Sequence, residues 1–399
     1  MPKTRIGVDV GSTAVRVAEV AIGDVPVVVR AAQVPLAPGL VEAGEVREPE
    51  AVGAAIRELW EKAGIKSRQA FLGVGNQRVV VREVALPWLP ERELRNTLAF
   101  QVQEFIPMST DDAVLDFDLL GEVDQGGRRM QRILLVAAHK AMVNALIEAA
   151  LAAKLDPVGV DLSPFAVVRA IGSGDEALDL DATGDEAVVD IGAHVTSICV
   201  HDRGVTRFVR MLPSGGRDIT IAIARGLGLD DEVAERLKRG EEVEVPDEAV
   251  GSEVPAGDPP ADEASEGGAS DGEVSEGADL ETEAAPASLE QTNAPDPENV
   301  RRLALMRAGS FIDEVRSSLE FYAAQVPSAR IGRVLAVGGG SRLDGFLELL
   351  QERIPVPVDR GRLFERAKSE LELSVDAAAE AEAVLSVAVG LAIPSRRRV

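Results

Sequence analysis

The chain has one cysteine, Cys199, among 399 residues. It can close no internal disulfide and build no cysteine-rich metal site. Its three histidines, His139, His194 and His201, show neither metal spacing nor a triad pattern. Aromatic residues make up 3% of the chain and hydrophobic residues 46%, so its cores must be built from Val, Leu, Ile and Ala. No apolar run reaches the roughly 18–20 residues of a membrane span. The nearest, from Ala383 to Ile393, is about half that length and stops at Pro394. A basic stripe with interleaved aromatics is missing, which argues against a nucleic-acid binder. No cleavable signal pattern opens the chain. These absences predict a cytoplasmic protein with no nucleic acid among its partners.

Lysine and arginine are also absent from residues 241–297, which hold 18 acidic residues. Elsewhere 49 acids face 42 bases, so the formal charge of −25 belongs mainly to this one segment and the rest is near neutral. Residues 240–298 carry almost no large apolar side chain. Ordering them would cost backbone entropy with little burial in return, and the composition predicts a disordered acidic linker there.

At this length more than one core is expected. Alternating apolar residues predict three strands over TRIGVDV, AVRVAEVAI and VPVVVRAAQVPL, then an amphipathic helix over Pro49–Ala63. Further strand and helix patterns fill residues 37–155, read as an inserted subdomain. Helices are expected from Gly215 to Arg239, from Val300 to Gln325, over RLDGFLELLQERI and over AEAVLSVAVGLAI. The class is α/β. Residues 1–36 with 156–183 form one domain and residues 184–239 with 299–383 a second. Residues 384–399 are a helix returning to the first domain and a basic tail.

Two stretches look like copies of one device. Residues 6–16 read IGVDVGSTAVR and residues 188–198 read VVDIGAHVTSI. Each places an acid, Asp9 or Asp190, near the end of a β-branched run, followed by a hydrophobe, a glycine and small or hydroxyl residues. Gly11 permits a turn whose successive N–H groups form an anion-binding concavity. Ser12 and Thr13 supply hydroxyls and Arg16 supplies charge. Gly192, Ala193, His194 and Thr196 make the partner loop. Asp9 and Asp190 would hold Mg²⁺, Asp9 through water. Further along, Glu235, Lys238 and Arg239 form E-x-x-K-R, whose i and i+3 members share a helix face. Glu235 and Lys238 suit a ribose, and Arg239 an adenine face. Gly338, Gly339 and Gly340 let a base or sugar approach the backbone, Ser341 is placed to cap a following helix, and Arg342 could stack opposite Arg239.

In this order the motifs resemble the actin-like ATPase superfamily, which includes actin, heat-shock chaperone ATPases, sugar kinases, FtsA and PilM. Within it, residues 85–120 (ALPWLPERELRNTLAFQVQEFIPMSTDDAVLDFDLL), LPSGGRDITIAIARGLGL with AERLK, and EVRSSLEFY look like the PilM family. That resemblance implies an actin-like ATPase fold, two related domains around a nucleotide cleft, with the inserted β/α subdomain in the first. It implies ATP and Mg²⁺ as ligands, with Gly215 and Gly216 among the nucleotide-binding residues. It also implies a cytoplasmic protein of type IV pilus assembly that binds the N-terminal cytoplasmic segment of PilN beside the inserted subdomain. Such a protein is peripheral to the inner-membrane assembly complex and open to homo-oligomerisation. An FtsA-like division protein is the alternative. A small-molecule kinase, with Asp161 as its base, ranks below both.

One departure bears on chemistry. Where efficient ATPases of this superfamily carry a Glu, Gln or Asp to orient the attacking water, this chain reads VDLSPFA over residues 160–166, with Ser163 at the acidic position. Orienting water is a large part of hydrolysis, so weak or no turnover is expected.

Overall fold

A computed structural model describes residues 3–172, 184–243, 295–326 and 329–395. The first hairpin strands are β1 (Thr4–Val10), β2 (Ala14–Ala21) and β3 (Val27–Pro35). A small hairpin follows, β4 (Val41–Glu42) and β5 (Glu45–Val46), then α1 (Pro49–Ala63), opened by Pro49 at its first turn. Next come β6 (Gln69–Val74), β7 (Val79–Pro87), α2 (Glu91–Gln101), β8 (Ala113–Gln125), β9 (Arg128–His139), α3 (Lys140–Ala152), β10 (Asp156–Leu162) and α4 (Ser163–Ile171).

The second half repeats the opening with β11 (Asp185–Ile191), β12 (Thr196–Asp202) and β13 (Val205–Leu212). It continues with α5 (Gly216–Leu227), α6 (Asp231–Lys238), α7 (Pro297–Gln325), β14 (Ile331–Val337), α8 (Phe346–Arg353), β15 (Val358–Arg360), α9 (Leu363–Arg366), β16 (Lys368–Ser369), α10 (Val375–Val384) and α11 (Ser386–Ala392).

Two sheets share one topology. The first runs β10-β6-β1-β2-β3-β16 and the second β13-β12-β11-β14-β15. In each, three strands form an antiparallel meander and two more extend it in parallel from its first strand, β6 then β10 in one and β14 then β15 in the other; β16 adds a short strand beside β3 in the first. Helices cover both faces of the second sheet, so β11 is apolar on both. Val188 packs with α4, and Ala187, Val189 and Ile191 with α5, α7 and α8.

The independent unit inside the first half is narrower than the 37–155 expected. Strands β7, β9 and β8 form a separate sheet, and α2 covers one face with Leu94 and Leu98 against Phe117, Ile133 and Leu135. By contrast, β6 pairs with β1, and α1 and α3 bury Ile56, Leu59 and Leu146 in the first domain's core.

Several expected helices divide. Residues 215–239 form α5 and α6, because Gly228, at φ 65°, ends the first by turning left-handed, its N–H bonded to Ala224 O. Residues 381–393 fall into α10 and α11. The Ser386 hydroxyl bonds back to Glu382 O at the break, a bond that competes with the helix ladder. Helix α2 stops at Gln101 and is followed by a 3₁₀ turn over Gln103–Phe105. Helix α7 starts at Pro297, three residues early, with Asp296 capping the Glu298 N–H at 3.0 Å. Residues 297–298 therefore leave the expected linker, and the disorder expected for most of the rest lies outside the described residues.

Helices α4 and α11 pack together with almost no side chain between them. A Cβ on Gly390 would fall 1.8 Å from Ala166 O, and one on Gly7 would fall 2.0 Å from Ala388 O. Backbone-to-backbone approach at these two glycines seats α11 on β1 and α4. The chain's last described helix therefore belongs to the first domain.

Candidate functional site

The two meanders turn their first connections toward one another. Gly11 N–H donates to Ala14 O at 3.1 Å, and Gly192 N–H donates to Val195 O at 3.0 Å. The same closed turn thus follows β1 and β11. Asp9 and Asp190 each sit one residue before the strand end. Asp9 pairs across the hairpin with Arg16, and Asp190 with Ser197. Between these loops lies a cavity of about 1870 Å³.

Of the expected site residues, Asp9, Gly11, Ser12, Thr13, Arg16, Asp190, Gly192, Ala193, His194, Gly216, Glu235, Lys238, Arg239, Gly338, Gly339, Gly340 and Arg342 line this cavity. Three do not, and each has a packing role behind the wall. Thr196 is fully buried and its hydroxyl donates to Ser214 O at 2.9 Å. Gly215 lets α5 approach the second loop, since a Cβ there would be 2.4 Å from Gly192 O. Ser341 caps no helix. It lies in a 3₁₀ turn over Gly339–Arg342, its hydroxyl donating to Gly338 O at 2.8 Å, and α8 starts only at Phe346.

The two acids face each other. Burial and the charge of Asp9 push the Asp190 carboxyl up to about 7, while Arg16 works the other way. Burial also raises Asp9, against Arg16, whose Nη1 lies 3.4 Å from Asp9 Oδ2. Two carboxylates under this strain suit a hard divalent cation. Mg²⁺ typically takes one or two carboxylates and completes its shell with water and phosphate oxygens. Among the described residues no group of three or more acidic, histidine or cysteine side chains is placed to hold a metal ion, so water or phosphate oxygens would complete the shell of a cation here. The donors fit Mg²⁺ on those terms. Arg16 adds a guanidinium whose Nε is buried without a partner.

Around the rest of the cavity, Glu235, Lys238 and Thr220 form one cluster. Thr220 Oγ1 donates to Glu235 Oε2 at 2.5 Å, and Lys238 Nζ donates to Gly216 O, Thr220 Oγ1 and Glu235. Burial opposes the Glu235 charge, but Lys238, Thr220 and Arg239 together hold its pKa below the usual range. Burial lowers Lys238. Arg239 donates to Glu235 Oε1 at 3.0 Å, and Arg342 lies 3.6 Å from Glu380. Gly338, at φ 83°, leaves no room for a Cβ, which would be 2.4 Å from Asp190 Oδ1. Gly339 faces open space.

An apolar recess of Ile219, Leu237, Val300, Ala304 and Leu343 completes the second domain's wall. Sequence reasoning missed it. The spacing of Val300 and Ala304 marks a buried helix face, and nothing in it separates a face that meets a core from one that meets a cleft. His194 Nδ1 accepts the Ala43 N–H at 3.4 Å. Burial and then Arg217 lower its pKa. Ser163 lines the cavity, whereas Asp161 does not: it pairs with Arg169 Nη2 at 2.6 Å and accepts the Leu162 N–H.

Paired sheets of one topology, closing on a cleft between two acid–glycine hairpins, define an actin-like ATPase fold. Within that class the chain belongs to the type IV pilus assembly protein PilM family, whose model matches residues 7–250. A solved PilM–PilN type IV pilus biogenesis complex is similar over 98% of both chains, with 24% identity and a TM-score of 0.73. The ethanolamine utilization protein EutJ from Carboxydothermus hydrogenoformans covers 98% of this chain and 90% of its own at 15% identity, with a TM-score of 0.51. The FtsA family model matches residues 187–379. FtsA of Bacillus subtilis (strain 168) is 32% identical over 105 residues, which are 26% of this chain and 23% of that relative. The FtsA likeness is thus confined to part of the chain. No helix among the described residues is long and apolar enough to cross a membrane.

Proposed function

We propose that this pilus assembly protein binds ATP with Mg²⁺ in the interdomain cleft and the N-terminal cytoplasmic segment of a PilN-type membrane protein beside the subdomain. The nucleotide serves as a conformational ligand more than a fuel. The observation that carries this reading is the facing pair Asp9 and Asp190, each followed by a closed glycine turn. Asp9 and Asp190 would hold Mg²⁺, which would neutralise phosphate charge. Arg16 and the N–H groups and hydroxyls of residues 11–13 and 192–194 would orient the phosphates. The apolar recess would take the base, between Arg239 and Arg342. Ser163 at the crossing offers only a short hydroxyl where a Glu, Gln or Asp would reach toward the attacking water, and this supports slow turnover. With Asp161 held by Arg169 outside the cavity, a kinase base is missing from the residues considered for that role.

A partner groove is supported by the margin of the subdomain sheet where it meets the first domain. On the face opposite α2, Leu134 is buried and Val81 and Val136 pack against the first domain's core, while Val114 and Val123 remain 42% and 38% exposed. Asp118, on the same face, is raised by burial, by Asp116 and by Asp161 of the first domain. Mixed apolar and charged walls between two units suit an extended peptide. Through such a partner the protein would sit at the inner membrane from the cytoplasmic side. Calorimetry on the full chain with Mg²⁺ and ATP, and separately with a synthetic PilN N-terminal peptide, tests both halves. Saturable binding of each is expected, and the absence of both sinks the reading.

A further inference from the structure

The hairpin β4–β5 belongs to neither large sheet, yet it touches both the cleft and the root of the subdomain. Its tip, Ala43–Gly44, has φ of 48° and 78°, the geometry of a tight primed turn. Alanine is strained there, and such strain marks a turn held by its surroundings. On one side the Ala43 N–H donates to Nδ1 of His194, in the second phosphate-type loop. Burial and Arg217 keep that imidazole neutral, so Nδ1 has a lone pair to offer. Glu42 and Asp218 also face it.

On the other side the hairpin grips the segment between β6 and β7. A Cβ on Gly44 would be 2.7 Å from Gly75 O. Glu45, 9% exposed, accepts from Arg78 Nη1 at 2.9 and 3.1 Å and from Asn76 Nδ2 at 3.3 Å. Asn76, 1% exposed, accepts the Arg78 N–H at 2.8 Å. The next residue opens β7, the subdomain's first strand.

We infer that the β4–β5 hairpin is a positioning arm through which the second phosphate-type loop sets the placement of the inserted subdomain. It rests on the nucleotide and peptide sites proposed above and names how one regulates the other. The physical basis is unequal stiffness at the two ends of the hairpin. At the tip, one long hydrogen bond borders a cavity of about 210 Å³ lined by Ala43, His194, Pro213, Arg217 and Asp218, so the tip has room to follow the loop. At the base, the buried Glu45 carboxylate is held by Arg78 and Asn76 and also by Arg47, whose Nη1 lies 3.2 Å from Oε2, and losing Arg78 and Asn76 is costly. A shift of the His194 loop onto a phosphate therefore moves Glu45, Asn76 and Arg78 together, and β7 with them.

Two measurements test it. First, the affinity of the PilN peptide is measured by calorimetry with and without saturating Mg²⁺ and ATP. The wild type should show a change of at least about fivefold, within the usual range of coupling. Arg78→Met leaves Glu45 with Asn76 and Arg47, and should bring that ratio to about one while each ligand's own affinity holds. Second, hydrogen exchange of the ligand-free chain is followed. His194→Ala should speed exchange in residues 43–46 and 79–84. His194→Asn, which keeps an acceptor near the Nδ1 position, should restore protection. A wild-type ratio of one, an unchanged ratio in Arg78→Met, or unaltered exchange in His194→Ala overturns the inference. If neither ligand binds, the proposed function fails, and the exchange experiment still decides whether the arm exists.

Discussion

Asp190→Asn removes the cost of keeping a buried carboxylate ionised beside a second one. In the ligand-free fold the Asp190 carboxyl sits at about 7 against an ordinary 3.8, through burial first and the Asp9 charge second. At about 1.4 kcal/mol for each tenfold in proton affinity, keeping it ionised costs the fold on the order of 4 kcal/mol. The folded pKa lies above the unfolded one, so the native state binds more protons between about pH 4 and pH 7. Its stability falls as pH rises through that window. Roughly half the cost, on the order of 2 kcal/mol, develops between about pH 5.5 and 8. Asparagine is neutral throughout. Urea unfolding followed by circular dichroism at several pH values should therefore show the wild type losing more stability toward pH 8 than the variant, which keeps only the contribution of Asp9. The variant should be the more stable protein at pH 8, with the gap narrowing as pH falls. Mg²⁺ with ATP should recover the wild type's deficit at pH 8, with proton release, and should do little for the variant. Parallel stability curves for the two proteins would refute a buried, raised Asp190 carboxyl beside Asp9.

Three further substitutions probe separate parts of the molecule. Gly338→Ala puts a Cβ 2.4 Å from Asp190 Oδ1 on a residue at φ 83°; calorimetry should find nucleotide binding lost while peptide binding survives. Gly390→Ala would drive a methyl to 1.8 Å from Ala166 O. Overpacking usually costs about 1–3 kcal/mol and more where backbone blocks relief, so a thermal melt should drop by several degrees or the chain should fail to accumulate in soluble form. Leu94→Ala opens a cavity in the separate subdomain core at a cost of about 2–5 kcal/mol. It should abolish binding of the PilN peptide and leave the affinity for ATP within about twofold, a split that a shared core would not permit.

The local elements were legible because their causes are local. Alternating Val and Ile placed β1, β2, β3 and β11, and Pro49 with Gly64 bounded α1. The two acid–glycine turns could be matched by eye because one backbone geometry selects one set of small residues. Boundaries failed where a single backbone state decided them. Gly228 reads in the sequence as one more residue of a helix, and only its left-handed φ ends α5. Ser341 has the chemistry of a cap, but it lies within a 3₁₀ turn and α8 starts only at Phe346, so it has no helix to cap.

Composition and order by themselves determined an α/β protein with two related hairpins, one near-neutral folded part and one acidic stretch. They also determined which residue types could meet a phosphate. Tertiary structure alone decided which of those residues share a surface. Thr196, Gly215 and Ser341 lie next in sequence to cavity-lining residues and are turned into the wall. Ile219, Leu237, the α7 pair Val300 and Ala304, and Leu343 come from four separate places to form the recess. The extent of the subdomain was settled in the same way. The β/α rhythm of residues 37–155 runs without a break, and only strand pairing assigns β6 to the first sheet and β7 to another. The physical reason is common to all of these: a side chain's type sets what it can bind, while its neighbours across the fold set whether it is free to do so.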